Sequence, residues 1–335
     1  MIRDELQKSQ PVVYQALNNA CTQNRISNAW LFTGPKGTPK KDAAYLLAMS
    51  VFCEKHEGLA CETCNTCRRV KEGTYGDLVV LDGSEKAVSK EDVDAIQEKF
   101  SKTALENAEG NRVYILLHAD TASVSAQNSM LKFLEEPGGK VTAILTTDNV
   151  NKLLPTIISR CTVLPFVPYS QQEILERALE QGIPEADAYL LSKSVKDPEE
   201  MLSVYEGEEY SSAVMMLKQY LNIDMPRAEL LVDYDVSFRS KAKERDAAKR
   251  SNILLLELFM DFLMGFGHDV ILQTDQGPSW YHNAVVSMKD KKKEYAEFIR
   301  IVSEQRDLIN KYNDLNLLMD QTFWRLEEFS NGNGI

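Results

Sequence analysis

This 335-residue chain has no long apolar run. The longest, from Ile253 to Met264, is cut by Glu257 and Asp261, and nothing approaches the ~20 apolar residues a bilayer span requires. The opening MIRDELQKSQ lacks the apolar stretch of a secretory signal, so the expectation is a cytoplasmic protein with no membrane partner. Glycine (16) and proline (11) are too few for a collagen-like or low-complexity chain. Positive charge is short as well: 38 Lys and Arg face 50 Asp and Glu, a net charge of −12. A chain that gripped nucleic acid unaided would need basic surface to neutralise phosphates, so autonomous binding is disfavoured. The basic run KDKKK at Lys289 to Lys293 reads as a solvated face, with DNA contact as its alternative. What is present is ordinary globular material, 44% hydrophobic and 26% charged, enough for two or three domains with their own cores.

Apolar spacing predicts a helix over Pro11 to Asn24 and a short buried strand over Ala29 to Thr33. The turn GPKGTPKK follows, then an Ala- and Leu-rich helix from Lys41 to Phe52. Further strands are expected at Leu78 to Leu81, Val113 to Leu117, Ala143 to Thr147 and Thr162 to Phe166, with helices at Lys90 to Leu105 and Ser125 to Glu135 between them. Strands alternating with helices argue an α/β unit, a parallel sheet covered on both faces. The alternation stops near Pro165 and Pro168. From Ser170 onward every segment reads as helical, including one long stretch from Lys292 to Asn331, and the tail SNGNGI reads as frayed.

The turn after the first strand has the outline of a phosphate-binding loop, G-x-x-x-x-G-K-[ST], whose backbone N–H groups wrap phosphates while Lys and a hydroxyl hold the outer oxygens and magnesium. Gly34 and Lys40 keep the outline, and Gly34, Gly37 and Lys40 are the candidate nucleotide-binding residues of a loop expected to be empty. The second required glycine is Pro39, which has no N–H and a fixed φ, and the hydroxyl is Lys41, a cation where magnesium would sit. A structural turn that holds no nucleotide is the principal reading, and weak nucleotide binding is the alternative. The strand that should end in Asp-Glu, for magnesium and water, ends instead in Leu117 and His118, with Asp120 two residues on.

Cysteine is scarce, six in all, yet Cys53, Cys61, Cys64 and Cys67 fall within fifteen residues. Four thiolates at this spacing suit one closed, structural zinc with no open coordination position. The competing iron–sulfur reading is weakened because the outlying cysteine comes first in the sequence rather than last. His56 reads as a bystander.

Four stretches in order, NAWLFTGPKG, the cysteine module, AQNSMLKFLEEP (Ala126 to Pro137) and LLPTIISRC (Leu153 to Cys161), make the chain resemble the clamp-loader subunits of bacterial DNA polymerase III, members of the AAA+ class. The resemblance implies an AAA+ P-loop-type α/β domain with its zinc module at residues 1–168, a helical lid at 169–208 and a helical collar for oligomerisation at 209–335. It assigns Ser159, Arg160 and Cys161 to the family's Ser-Arg-Cys motif, whose arginine is expected to reach the γ-phosphate held by a neighbouring γ/τ subunit. Read by residue type alone, Arg160 is a surface ion-pair residue. Thr146 or Thr147 falls at the sensor-1 position, to read a phosphate or to cap the strand, and Glu200 stands where active members carry a sensor-2 arginine. Glu135 and Glu136 are interface candidates. The expected partners are the γ/τ and δ subunits, with the sliding clamp and primed DNA reached through the complex. The chain itself is expected not to hydrolyse ATP. An atypical γ/τ-like ATPase and a zinc-containing adaptor outside replication are the competing readings.

Overall fold

In a computed structural model, the structure describes all residues except 56–57, 85, 102–109, 136–138, 223–244, 310, 312–313 and 334–335. Two compact units divide the chain, Met1–Tyr169 and Ser170–Ile335.

The first unit is built on five parallel strands: β1 (Ala29–Thr33), β2 (Leu78–Asp82), β3 (Arg112–Leu117), β4 (Val141–Thr147) and β5 (Thr162–Pro165), in the order β2-β3-β4-β1-β5. Register is fixed by pairs such as Leu31 with Leu145 and Leu31 with Val163. Successive residues of β1 point to opposite faces, yet both faces are buried. Trp30 and Phe32 enter one core and Ala29 and Leu31 the other. That double burial is why the strand reads as a continuous apolar run rather than as an alternation.

The Trp30 face is covered by α1 (Ile2–Ser9), α2 (Pro11–Thr22), α3 (Lys40–Phe52) and α4 (Asn65–Lys71). The opposite face is covered by α5 (Lys90–Ser101), α6 (Val124–Glu135) and α7 (Pro155–Ile158). α1 was not evident from periodicity: among its residues Leu6 alone is buried.

The second unit contains the stretches expected as lid and collar. Its helices are α8 (Gln171–Glu180), α9 (Glu185–Ser194), α10 (Met201–Tyr205), α11 (Glu208–Leu221), α12 (Arg245–Leu272), α13 (Ser279–Ser287), α14 (Lys292–Arg306) and α15 (Leu315–Asn333). Ser170 and Glu173 form a reciprocal capping box that starts α8. The single stretch expected from Lys292 to Asn331 is two helices, because the Asp314 carboxylate accepts the Asn316 and Leu317 N–H groups and starts a new helix there. α15 runs to Asn333, into the tail expected to fray. Buried Asp269 of α12 accepts the Tyr189 hydroxyl at 2.7 Å, the Tyr281 hydroxyl at 2.6 Å and the Lys193 ammonium at 2.7 Å, tying α9 and α13 to the central helix. A buried carboxylate with three charge-assisted or hydroxyl donors is stable where an unpaired one would not be. Among the described residues, no helix is long and apolar enough to cross a membrane.

Candidate functional site

The degraded loop lies between the carboxyl end of β1 and the start of α3. The Gly34 N–H donates to the Thr147 carbonyl at 3.2 Å, and a Cβ on Gly34 would stand 2.8 Å from the Phe166 carbonyl oxygen, so a side chain has no room. Gly37 turns the chain with φ 83°, in the left-handed region that favours glycine. Pro39 then occupies the N-cap of α3 without a side-chain cap.

Lys40 is 5% exposed, and its ammonium is fully engaged. It donates to the Gly34 carbonyl at 2.8 Å, the Pro35 carbonyl at 2.7 Å and the Thr38 hydroxyl at 2.7 Å, and it lies 3.0 Å from the Asp148 carboxylate. The backbone repeats the pattern: the Thr38 N–H points to the Pro35 carbonyl at 3.4 Å and the Lys40 N–H to the Thr38 carbonyl at 2.7 Å. Two of the donors that would wrap a phosphate are turned onto the loop itself, and Pro39 has none.

The neighbouring strand ends are equally occupied. Leu117 is buried, and His118 adopts φ 55° with its N–H donating to the Thr146 hydroxyl at 3.1 Å. The His118 imidazole Nδ1 lies 3.6 Å from the Asp148 carboxylate. Asp120 accepts from the Thr147 hydroxyl at 3.1 Å and the Asp148 N–H at 3.3 Å. Both threonine hydroxyls are therefore engaged in local strand-end contacts. At the end of β2, Asp82 is pushed up by burial, but the N–H and hydroxyl of Ser84, with His118 and Lys41 nearby, leave it below the usual carboxylate range. Glu200 is exposed at the N-terminus of α10.

The Ser-Arg-Cys motif follows α7. The Ser159 hydroxyl and the Arg160 guanidinium both donate to the Thr156 carbonyl, at 3.1 and 2.8 Å. Cys161 packs against the β-sheet core, and burial pushes its thiol up to about 11. The serine thus closes the turn and the cysteine anchors it, while the arginine stands at the surface with its side chain 35% exposed and paired to Glu135, the last residue of α6. Glu136 lies outside the described residues.

The four cysteines converge. Cys53 ends α3, Cys61 lies in the following turn, Cys64 is the N-cap of α4 and accepts the Cys67 N–H, and Cys67 is in the first turn of that helix. The Ser50 hydroxyl accepts the Ala60 N–H at 2.8 Å and holds the returning loop on α3. The sulfurs lie within 4.8 Å of one another, with Cys53–Cys61 at 3.6 Å and both Cys53–Cys64 and Cys61–Cys67 at 4.0 Å. Tetrahedral ligation at about 2.3 Å requires edges of about 3.8 Å, so the set fits one metal ion. A multi-iron cluster, whose thiolates bind separate irons, would hold them further apart. The cysteines are free of disulfides. N–H groups, that of Thr63 foremost, bring Cys61 down to about 6, while burial pushes Cys53 and Cys67 up. His56 lies outside the described residues.

Asp148 and Glu62 were not singled out as functional by their sequence context, although Asp148 directly follows the threonine pair, and Glu135 was named only as an interface candidate, not as the partner of Arg160. Each acts through a contact with a residue distant in the chain.

A family model described as "DNA polymerase III, delta subunit" matches residues 9–170. The chain is 35% identical over 260 residues to the DNA polymerase III subunit delta' of Bacillus subtilis (strain 168), covering 77% of this chain and 78% of that one. It is also 35% identical over 172 residues to the DNA polymerase III subunit tau of the same organism, covering 49% of this chain and 29% of that one. Among solved structures, a DNA polymerase III gamma subunit-related protein from Thermotoga maritima aligns over 94% of this chain and 98% of its own, at 14% identity and a TM-score of 0.48.

Proposed function

The chain belongs to the delta' family of DNA polymerase III clamp-loader subunits, and from that membership we propose that it is a non-hydrolysing member which lends Arg160 to an ATPase site on a neighbouring γ/τ subunit. One observation carries the first half. The Lys40 ammonium is bonded to the loop's own oxygens and to Asp148, and the Thr38 and Lys40 N–H groups point to loop carbonyls, so a triphosphate would have to displace these contacts. With Leu117 and His118 in place of the acid pair, the site also lacks the groups that would orient magnesium and water.

Exposure and geometry support the second half. Arg160 stands at the surface on a turn closed by its motif neighbours, where a guanidinium could reach a phosphate bound by another subunit. An arginine supplied in trans stabilises charge on the transferring phosphoryl group, and losing one costs ~10³–10⁵ in rate. The sliding clamp, δ and primed DNA are then partners of the assembled loader, which ATP turnover in γ/τ drives.

Cys53, Cys61, Cys64 and Cys67 would hold one zinc, which supplies a closed structural cross-link and no reactive position. Metal analysis after gel filtration should return about one zinc per chain.

The assay is the clamp- and DNA-stimulated ATPase of a loader reconstituted with Arg160→Ala. We expect normal assembly and a large drop in turnover. Unchanged turnover removes Arg160 from the mechanism. Rapid magnesium-dependent ATP cleavage by the isolated chain would favour the atypical ATPase instead, and failure to co-purify with γ/τ and δ would favour an adaptor outside replication.

A further inference from the structure

The guanidinium of Arg160 has two partners in this chain, and they come from different elements. Its Nη1 donates to the Thr156 carbonyl of its own turn at 2.8 Å, and its Nη2 is paired with Oε1 of Glu135 at the end of α6. Nothing in the local sequence of Arg160 requires the second contact. α6 and α7 are packed side by side against the same face of the sheet, and that packing brings the carboxylate to the arginine.

An arginine side chain carries a large rotamer entropy, and a catalytic cation acts best when its orientation is fixed before the charge develops. Two partners on two different nitrogens fix the plane of the guanidinium, while its remaining N–H groups are available to a phosphate. We propose that Glu135 is a positioning residue for Arg160, holding the guanidinium in the plane from which it engages the neighbour's phosphate. The inference rests on the trans-arginine reading above and assigns to Glu135 a role in setting kcat without contact with the nucleotide. The side chain of Glu135 is 49% exposed, so substitution there leaves the core intact.

The test uses the reconstituted loader with four versions of this subunit: wild type, Glu135→Ala, Glu135→Gln and Glu135→Ala combined with Arg160→Ala, beside Arg160→Ala alone. Assembly of each is verified by gel filtration. Glu135→Ala is expected to lower stimulated kcat about tenfold while KM for ATP changes less than about twofold, the signature of a misaligned group. Glu135→Gln, which keeps an oxygen acceptor for Nη2, should recover most of the rate. The double variant should be no slower than Arg160→Ala.

Wild-type turnover in Glu135→Ala alongside an impaired Arg160→Ala overturns the positioning role and leaves the arginine reading standing. So does a loss from Glu135→Ala that adds in full to that of Arg160→Ala, or a Glu135→Gln variant as slow as Glu135→Ala. Unimpaired Arg160→Ala overturns the arginine reading and this inference with it.

Discussion

The carboxylate of Glu62 accepts the backbone N–H of Ile2 at 2.8 Å, and its second oxygen accepts that of Arg3 at 2.9 Å. Glu62 sits between Cys61 and Cys64 in the left-handed region, φ 56°, so the turn that presents the cysteines also aims this side chain at the start of α1. The first N–H groups of a helix have no partner within it, and a carboxylate supplies one and complements the helix dipole. The cysteine module and the N-terminal helix are thereby one mechanical unit.

Removing the zinc proposed for the four cysteines should therefore loosen a helix that contributes none of them. Tryptic cleavage after Arg3 and Lys8 is expected to accelerate when a chelator strips the ion, and also in Glu62→Ala with metal retained. The substitution alone should cost about 1 kcal/mol, the usual value of a lost N-terminal cap. Equal protection of these two sites in chelated and loaded protein would separate the module from the helix.

What periodicity could and could not reveal follows from where each contact is made. β1 was legible to the residue because a doubly buried strand writes its burial into four consecutive apolar side chains, Ala29 to Phe32, before Thr33. The convergence of the four cysteines was legible because they recur at short spacing. α1 was not, since its polar sequence is stabilised by Glu62, 60 residues away. The loop's defects could be read from Pro39 and Lys41. Its closure on Asp148 could not, because that carboxylate is delivered by pairing of β1 with β4. Arg160 was proposed through its motif and Glu135 as an interface candidate, whereas the pairing of the two is visible only in the packing of α6 beside α7.

A pH effect is expected at the start of α5. The Asp92 carboxylate accepts the Ser89 N–H at 2.9 Å and its hydroxyl at 2.7 Å, and the Ser89 hydroxyl accepts the Asp92 N–H at 3.2 Å. These bonds, the Ser89 N–H first, hold Asp92 below its ordinary value. A depressed folded pKa means the contribution is fully present above the unfolded value of about 3.9 and is lost as pH falls through the folded one. Carboxyl NMR titration should place Asp92 below free aspartate, and Ser89→Ala should move it upward. An unshifted Asp92 in the parent chain would remove this cap from the acid-unfolding account. Because α5 packs on α6, loss of the cap at low pH acts on the helix that carries Glu135.

Lys40 separates a loop kept for nucleotide from one kept for structure. Where a phosphate-loop lysine serves its ligand, replacing it abolishes binding, and the folded protein gains melting temperature from the ligand according to its saturation. Here the ammonium is buried against three oxygen acceptors and the Asp148 carboxylate, so its removal strands polar groups inside the unit. Lys40→Ala should destabilise the chain by on the order of 1–3 kcal/mol, a melting shift of several degrees for a unit of this size. Asp148→Asn, which keeps a hydrogen-bond acceptor but not the charge, should fall between the two. Saturating magnesium·ATP should leave all three melting temperatures where they are, since Pro39 offers no N–H and those of Thr38 and Lys40 point to carbonyls of the loop itself. A rise of several degrees in the parent chain on adding magnesium·ATP, absent from Lys40→Ala, would mean that the loop opens and that the lysine's bonds to Gly34, Pro35 and Thr38 are a resting state exchanged for phosphate.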